Sequence, residues 1–134
     1  MAKTSGSLDT CVVLRWLTQD IPEQTVAAEK IIAGASGQLA ISDLALNECI
    51  FGLERYYTYT REQIAAALEA VMRVPAINCN RVLLSKALSY YVANQNLSFE
   101  DCALVSYAEL NDAKPLFTFD KQLAKKLPAA QLIV

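Results

Sequence analysis

Ser98-Phe99-Glu100-Asp101-Cys102-Ala103-Leu104-Val105-Ser106-Tyr107-Ala108, followed by Leu116-Phe117-Thr118-Phe119-Asp120, carries both a helix and a strand signal, each with an acid at a structurally telling place. Its first part reads as a helix. Ser98 is a good N-cap, and Glu100 and Asp101 fill the first turn, where the helix dipole favours negative charge. At about 100° per residue, Asp101 points the same way as the apolar residues Leu104, Val105 and Ala108. A carboxylate therefore heads an inward stripe, and a desolvated carboxylate needs a partner. Leu116 to Phe119, bounded by Pro115, reads as a short buried strand that ends in a second acid, Asp120. Sites in open parallel sheets collect at the carboxyl ends of strands. Two inward acids at such an edge ask for a cation.

Outward from this stretch, helix and strand signals alternate. Residues 1–7 read as frayed or as a poor first strand, with Lys3 to Ser7 unusually polar for one. Leu8-Asp9-Thr10 leads into an apolar helix over 11–17, so Asp9 stands at a strand-to-helix junction. The plain alternative is that Asp9 or Thr10 merely caps that helix. A second helix is expected over 23–34, with Val26, Ile31 and Ile32 inward, then a strand over 39–41. Ser42 caps a third helix, 43–57, apolar on most sides and so largely buried. Glu48 lies on it between Leu44 and Phe51, either as a functional acid or as half of an ion pair.

Thr60-Arg61-Glu62-Gln63 has the form of a capping box and opens a fourth helix to Arg73, with Ile64, Leu68, Val71 and Met72 inward. A strand at 76–78 and a fifth helix over 80–95 follow, the latter with Val82, Leu83, Leu84, Ala87, Leu88, Tyr91 and Val92 on its core side. After Asp120 come a short helix, 121–127, and a terminal strand, 131–134. Short apolar strands alternating with helices indicate an α/β fold of three layers, its short, mostly parallel central sheet flanked by helices. The 134 residues suit a single domain with a sizeable core.

Composition narrows the function. Hydrophobic residues at 54% against 19% charged argue for a packed globule and against disorder. No apolar run approaches the ~20 residues of a membrane span, and the polar N-terminus does not read as a signal peptide. Four scattered cysteines without a CxxC pair (Cys11, Cys49, Cys79, Cys102) fit thiols in a reducing, cytoplasmic setting. A net charge of −2 excludes nucleic-acid binding by bulk charge alone, though not by a local basic face. There is no histidine. That removes Ser-His-Asp and Cys-His catalysis, HExxH proteases and histidine-ligated zinc.

Four acids then stand out: Asp9, Glu48, Asp101 and Asp120. They are expected to converge at the carboxyl edge of the sheet. A carboxylate cluster repels itself unless a hard cation neutralises it, and Mg²⁺ or Mn²⁺ suits an all-oxygen donor set. Such an ion activates water and stabilises charge on a phosphoryl oxygen, so a histidine-free site can cut a phosphodiester. Arg15 is a candidate phosphate contact. Lys121, Lys125 and Lys126 are either phosphate contacts or a solvated helix end. Tyr56, Tyr57 and Tyr59 suit base stacking or, more simply, a protein interface. Ser85 and Lys86 are adjacent on a helix, so their side chains diverge and form no dyad.

These residues resemble the PIN domain, in particular the VapC-type toxin nucleases of bacterial toxin–antitoxin pairs. The carrying segments are Leu8-Asp9-Thr10 with Val12-Val13-Leu14-Arg15-Trp16-Leu17, Asp20-Ile21-Pro22-Glu23-Gln24, Ile41-Ser42 through Leu46-Asn47-Glu48, Phe99-Glu100-Asp101-Cys102-Ala103-Leu104 and Thr118-Phe119-Asp120. They span nearly the whole chain. The resemblance implies a PIN-like fold and a metal-dependent endoribonuclease, dimeric and inhibited by a cognate antitoxin. It puts the family's acids on Asp9, Glu48, Asp101 and Asp120, and its site hydroxyl on Thr118. Two features depart from the family: Cys11 replaces the usual Asn or Ser, and the strand before Asp9 is polar. The competing function is a PIN fold that holds RNA or a protein without cutting. Phosphotransfer on Asp9, as in haloacid-dehalogenase-like enzymes, is disfavoured because Cys11 stands where that motif has a second Asp.

Overall fold

The computed structural model describes residues 5–134. The chain forms two compact units, one ending at Asn80 and the other beginning at Arg81. The expected N-terminal strand falls partly on residues 1–4, outside the described residues; its described part is β1 (Gly6–Ser7).

The first unit continues with α1 (Thr10–Thr18), α2 (Pro22–Ala33), β2 (Leu39–Ala40), α3 (Asp43–Arg55), α4 (Arg61–Met72) and β3 (Ile77–Asn78). Its strands pair in parallel in the order β1-β2-β3, with Gly6 opposite Leu39 and Leu39 opposite Ile77. Parallel neighbours need long crossovers, and the helix pairs α1–α2 and α3–α4 supply them. Hydrogen bonding runs one step beyond the assigned strands: the Leu8 N–H donates to the Ala40 carbonyl at 2.8 Å, and Ile41 to Asn78 at 2.9 Å. Asp9 is therefore the first residue past the carboxyl end of the ladder. Beneath it lies a core of Val13, Leu39, Ile41, Leu46, Ile50, Leu53, Ile64, Leu68, Val71 and Ile77, all buried.

The helix starts follow from local chemistry. Ser42 Oγ accepts from the Ala45 N–H at 3.1 Å. At Thr60 the capping box forms in full: its Oγ1 accepts from the Gln63 N–H, and the Gln63 side chain accepts from the Thr60 N–H. Pro22 opens α2, where its fixed φ suits a first turn.

The second unit comprises α5 (Arg81–Ala93), α6 (Phe99–Leu110), β4 (Leu116–Thr118), α7 (Lys121–Lys126) and β5 (Ala130–Leu132). β4 and β5 pair in parallel, Leu116 opposite Ala130, with α7 as the crossover. α5 and α6 pack through Leu84, Ala87, Leu88 and Tyr91 on one side and Phe99, Cys102, Val105 and Ala108 on the other. Tyr91 meets Phe99 edge-on, with ring centroids 5.7 Å apart. Tyr90 Oη donates to Glu109 Oε1 at 2.7 Å, which, with burial, holds the phenol up to about 12. The expected parallel sheet thus appears as two hydrogen-bonded groups of short strands.

Several expected core positions are surface positions instead. Val26, Ile31, Val82, Leu104, Phe117 and Phe119 are all exposed. In α2 only the row Thr25, Ala28 and Ile32 is buried, a narrower stripe than the apolar composition suggested. In α6, Leu104 lies 100° from Val105 and falls off the packed row. β4 is not the buried strand expected: Phe117 within it and Phe119 just after it are both exposed. All four cysteines are thiols, with Cys49 and Cys102 buried. Among the described residues no helix is long and apolar enough to cross a membrane.

Candidate active site

Asp9 takes the N-cap position of α1 with extended backbone angles (φ −71°, ψ 155°), yet its side chain makes no capping hydrogen bond. Its main-chain carbonyl does the local work, accepting from the Val12 and Val13 N–H groups at 3.0 and 3.2 Å. The helix therefore starts without the carboxylate, which stays exposed at the end of the strand ladder. The simple capping explanation of Asp9 is not realised.

The next residue ties this corner to α3. Thr10 Oγ1 donates to Glu48 Oε2 at 3.1 Å, and the Cys49 thiol lies 3.7 Å from the Thr10 carbonyl. Glu48 is not on a buried apolar face, as the sequence suggested. α3 buries Ala45, Leu46, Cys49, Ile50, Gly52 and Leu53, so Glu48 belongs to the opposite row with Leu44 (68% exposed) and Phe51 (54%). Its partner is a hydroxyl, whereas the plain alternative had been an ion pair with Lys or Arg. Burial, then the nearby Glu48 and, more weakly, Asp9 carboxylates, push the Cys49 thiol up to about 12. Because Thr10 follows Asp9 directly in the chain, its bond to Glu48 ties the start of α1 to α3.

Arg15, a candidate phosphate contact, is engaged within the fold. Its Nε donates to Gln24 Oε1 at 2.9 Å, and its Nη1 to Tyr57 Oη at 2.9 Å and Asp20 Oδ1 at 3.3 Å. Tyr57 Oη in turn donates to Asp20 Oδ2 at 2.6 Å, and Thr18 Oγ1 to Asp20 Oδ1 at 2.8 Å. The Tyr57 and Thr18 hydrogen bonds, with Arg15 nearby, hold the Asp20 carboxyl below the usual range. This network joins α1, α2 and the end of α3. It also gives Tyr57 a structural partner, while Tyr56 stays exposed.

In the second unit Asp101 is half-buried in the first turn of α6. Its N–H donates to Ser98 Oγ at 3.1 Å, which confirms the cap. Of the three residues expected on its stripe, Val105 and Ala108 are buried and Leu104 is not. Thr118 Oγ1 accepts from the Asp120 N–H at 3.0 Å, fixing the turn out of β4. Asp120 Oδ1 then accepts from the Gln122 and Leu123 N–H groups at 2.9 and 3.1 Å. Asp120 is thus the N-cap of α7, a role the sequence reading missed. An Asp two and three residues before backbone donors at a helix start is the signal that would have found it.

The donor set suits a hard cation: exposed or half-buried carboxylates, with no imidazole anywhere in the chain. Among the described residues no group of three or more His, Cys, Asp or Glu is gathered closely enough to hold a metal by itself. Mg²⁺ is held through one or two carboxylates with several waters retained, so the residues present fit such an ion without a closed cage.

No curated protein matches the chain. Among solved structures, a toxin–antitoxin complex from Klebsiella pneumoniae is similar at 16% identity, covering 96% of each chain, with a TM-score of 0.35. The PIN domain family matches residues 7–127, a span that takes in Asp9, Glu48, Asp101, Thr118 and Asp120. By that match over most of its length, the chain belongs to the PIN domain family.

Proposed function

We propose that this protein is a metal-dependent endoribonuclease, acting as one domain over residues 1–134, and the toxin of a toxin–antitoxin pair. The observation that carries the nuclease reading is the family match, since PIN domains are generally nucleases that use divalent metal ions. The toxin role, the cognate antitoxin, the RNA substrate, the homodimer and the cytoplasmic setting rest on the resemblance of the motif segments.

In this reading Asp9, Glu48, Asp101 and Asp120 hold Mg²⁺ or Mn²⁺. When bound, the ion supplies an activated water and offsets charge developing on the phosphoryl oxygens. Asp9 and Asp101 are the principal ligands. Asp120 adds an oxygen while its Oδ1 caps α7, and Thr118 fixes the turn that presents it. Glu48, steadied by the Thr10 hydroxyl, orients the attacking water or takes its proton. With no histidine in the chain, the bound ion would be the source of a neutral-pH nucleophile.

The test is cleavage of single-stranded or looped RNA by the purified protein. Cleavage should need Mg²⁺ or Mn²⁺, stop in excess EDTA, and fall by orders of magnitude in Asp101→Asn while the fold survives. Equal cleavage in EDTA, or full activity of Asp101→Asn, would refute the mechanism. Binding of RNA without cleavage in either metal would favour the non-catalytic module instead.

A further inference from the structure

Two large aromatic side chains stand bare beside Asp120. Phe117 is 61% exposed and Phe119 78% exposed, among the most exposed large apolar side chains described. The period of two along an extended segment puts them on one face, with Leu116 and Thr118 on the other. They bracket Thr118, whose hydroxyl accepts from the Asp120 N–H, so the turn beneath the second ring is pinned. Exposing two phenyl rings costs hydrophobic free energy that folding could have recovered.

The charge around them is as unusual as the exposure. Four lysines (Lys114, Lys121, Lys125, Lys126) against Asp120 alone give residues 114–126 a net charge of +3, in a chain whose net is −2. Lys121, Lys125 and Lys126 all lie on α7, a six-residue helix only ~9 Å long, and all are exposed. Aromatic faces interleaved with ammonium groups are how proteins hold single strands: each base offers a π-face to stack on, and each phosphate a charge to meet. A protein interface would instead deplete lysine at its core.

We propose that Phe117 and Phe119 form a stacking platform for bases of single-stranded nucleic acid, with Lys121, Lys125 and Lys126 meeting its phosphates next to Asp120. The two phenylalanines are positioning residues: they hold the strand by its bases, while chemistry belongs to the acids. A duplex keeps its bases stacked inside and offers them nothing. This deepens the nuclease reading and rests on it.

The experiment is fluorescence anisotropy on the full chain in EDTA, with a short labelled single-stranded RNA and a matched strand of abasic sites. Replacing each phenylalanine by alanine should weaken binding of the base-bearing strand by about fivefold to a hundredfold. Phe117→Trp and Phe119→Trp should each keep it. The abasic strand should bind wild type and Phe117→Ala/Phe119→Ala alike. Both side chains are exposed, so thermal melting of the variants should stay near wild type, and a KM rise with kcat held should accompany the loss. Equal binding by wild type and the alanine variants would overturn the platform and leave the nuclease reading standing. A changed mass in light scattering with RNA affinity intact would make the face a protein interface and overturn it too. Wild type that neither binds nor cleaves RNA would remove the nuclease reading itself.

Discussion

Replacing Thr10 by valine removes one hydroxyl and keeps the shape. That hydroxyl donates to Glu48 Oε2 at 3.1 Å, longer than the 2.7–2.8 Å usual for O–H···O bonds. Hydrogen bonds to charged groups contribute roughly 1.5–3 kcal/mol in favourable cases. Glu48 is exposed and water competes for it, so about 1 kcal/mol is the appropriate figure here. If that energy serves to hold the carboxylate in its working orientation, kcat should fall about fivefold, since 1.4 kcal/mol is about tenfold. KM for RNA should stay put, because the hydroxyl is taken up by Glu48. Initial-rate measurements at saturating metal, with melting curves on the same preparations, make the assay. Thr10→Ser, which keeps the donor, should recover most of the rate. A fully active Thr10→Val, or a Thr10→Ser as slow as the valine variant, would show that the bond does not position Glu48.

Cys49 supplies a pH prediction. Its folded pKa lies near 12 against an ordinary 9.0, so the fold favours the neutral thiol. Its contribution is complete below pH 9 and is lost as pH rises from 9 toward 12, by on the order of 4 kcal/mol at the top of that window. Cys49→Ala should flatten the alkaline limb of a stability-against-pH curve, and in the native protein iodoacetamide should label exposed Cys11 well before Cys49. At the start of α7, Asp120→Ala should cost about 1 kcal/mol in denaturant unfolding, whereas Asp120→Asn, still a competent cap, should cost little. For assembly, Leu44, Phe51 and Tyr56 leave an apolar strip on and just after α3; light scattering should show a dimer at micromolar concentration that Phe51→Glu dissociates.

The order and type of elements were legible because local chemistry and hydrophobic period agreed with the final packing. Ser42, Thr60 and Ser98 cap where their sequence context says they should. Pro115 stands immediately ahead of β4, as expected. Less legible was which apolar residues face inward. Periodicity orients a helix against itself, but the width of its buried stripe depends on what packs there, and Leu104, Val82 and Ile31 fall outside it. For Glu48 the same ambiguity reversed the reading: apolar neighbours at i−4 and i+3 suggested burial, and the structure exposes all three. Residue type and spacing identified the candidate acids. Their hydrogen bonds could not be read that way: nothing in one dimension says that Thr10 serves Glu48, or that Arg15 is taken up by Asp20, Tyr57 and Gln24.

Whether the four acids bind one kind of divalent cation is decided by calorimetric titration of the intact protein with Mn²⁺. Wild type should bind, and Asp9→Asn, Glu48→Gln, Asp101→Asn and Asp120→Asn should each weaken binding by about tenfold or more, the loss typical even of groups that only support a ligand. Undiminished Mn²⁺ binding in all four variants, or no binding by wild type, would contradict the account.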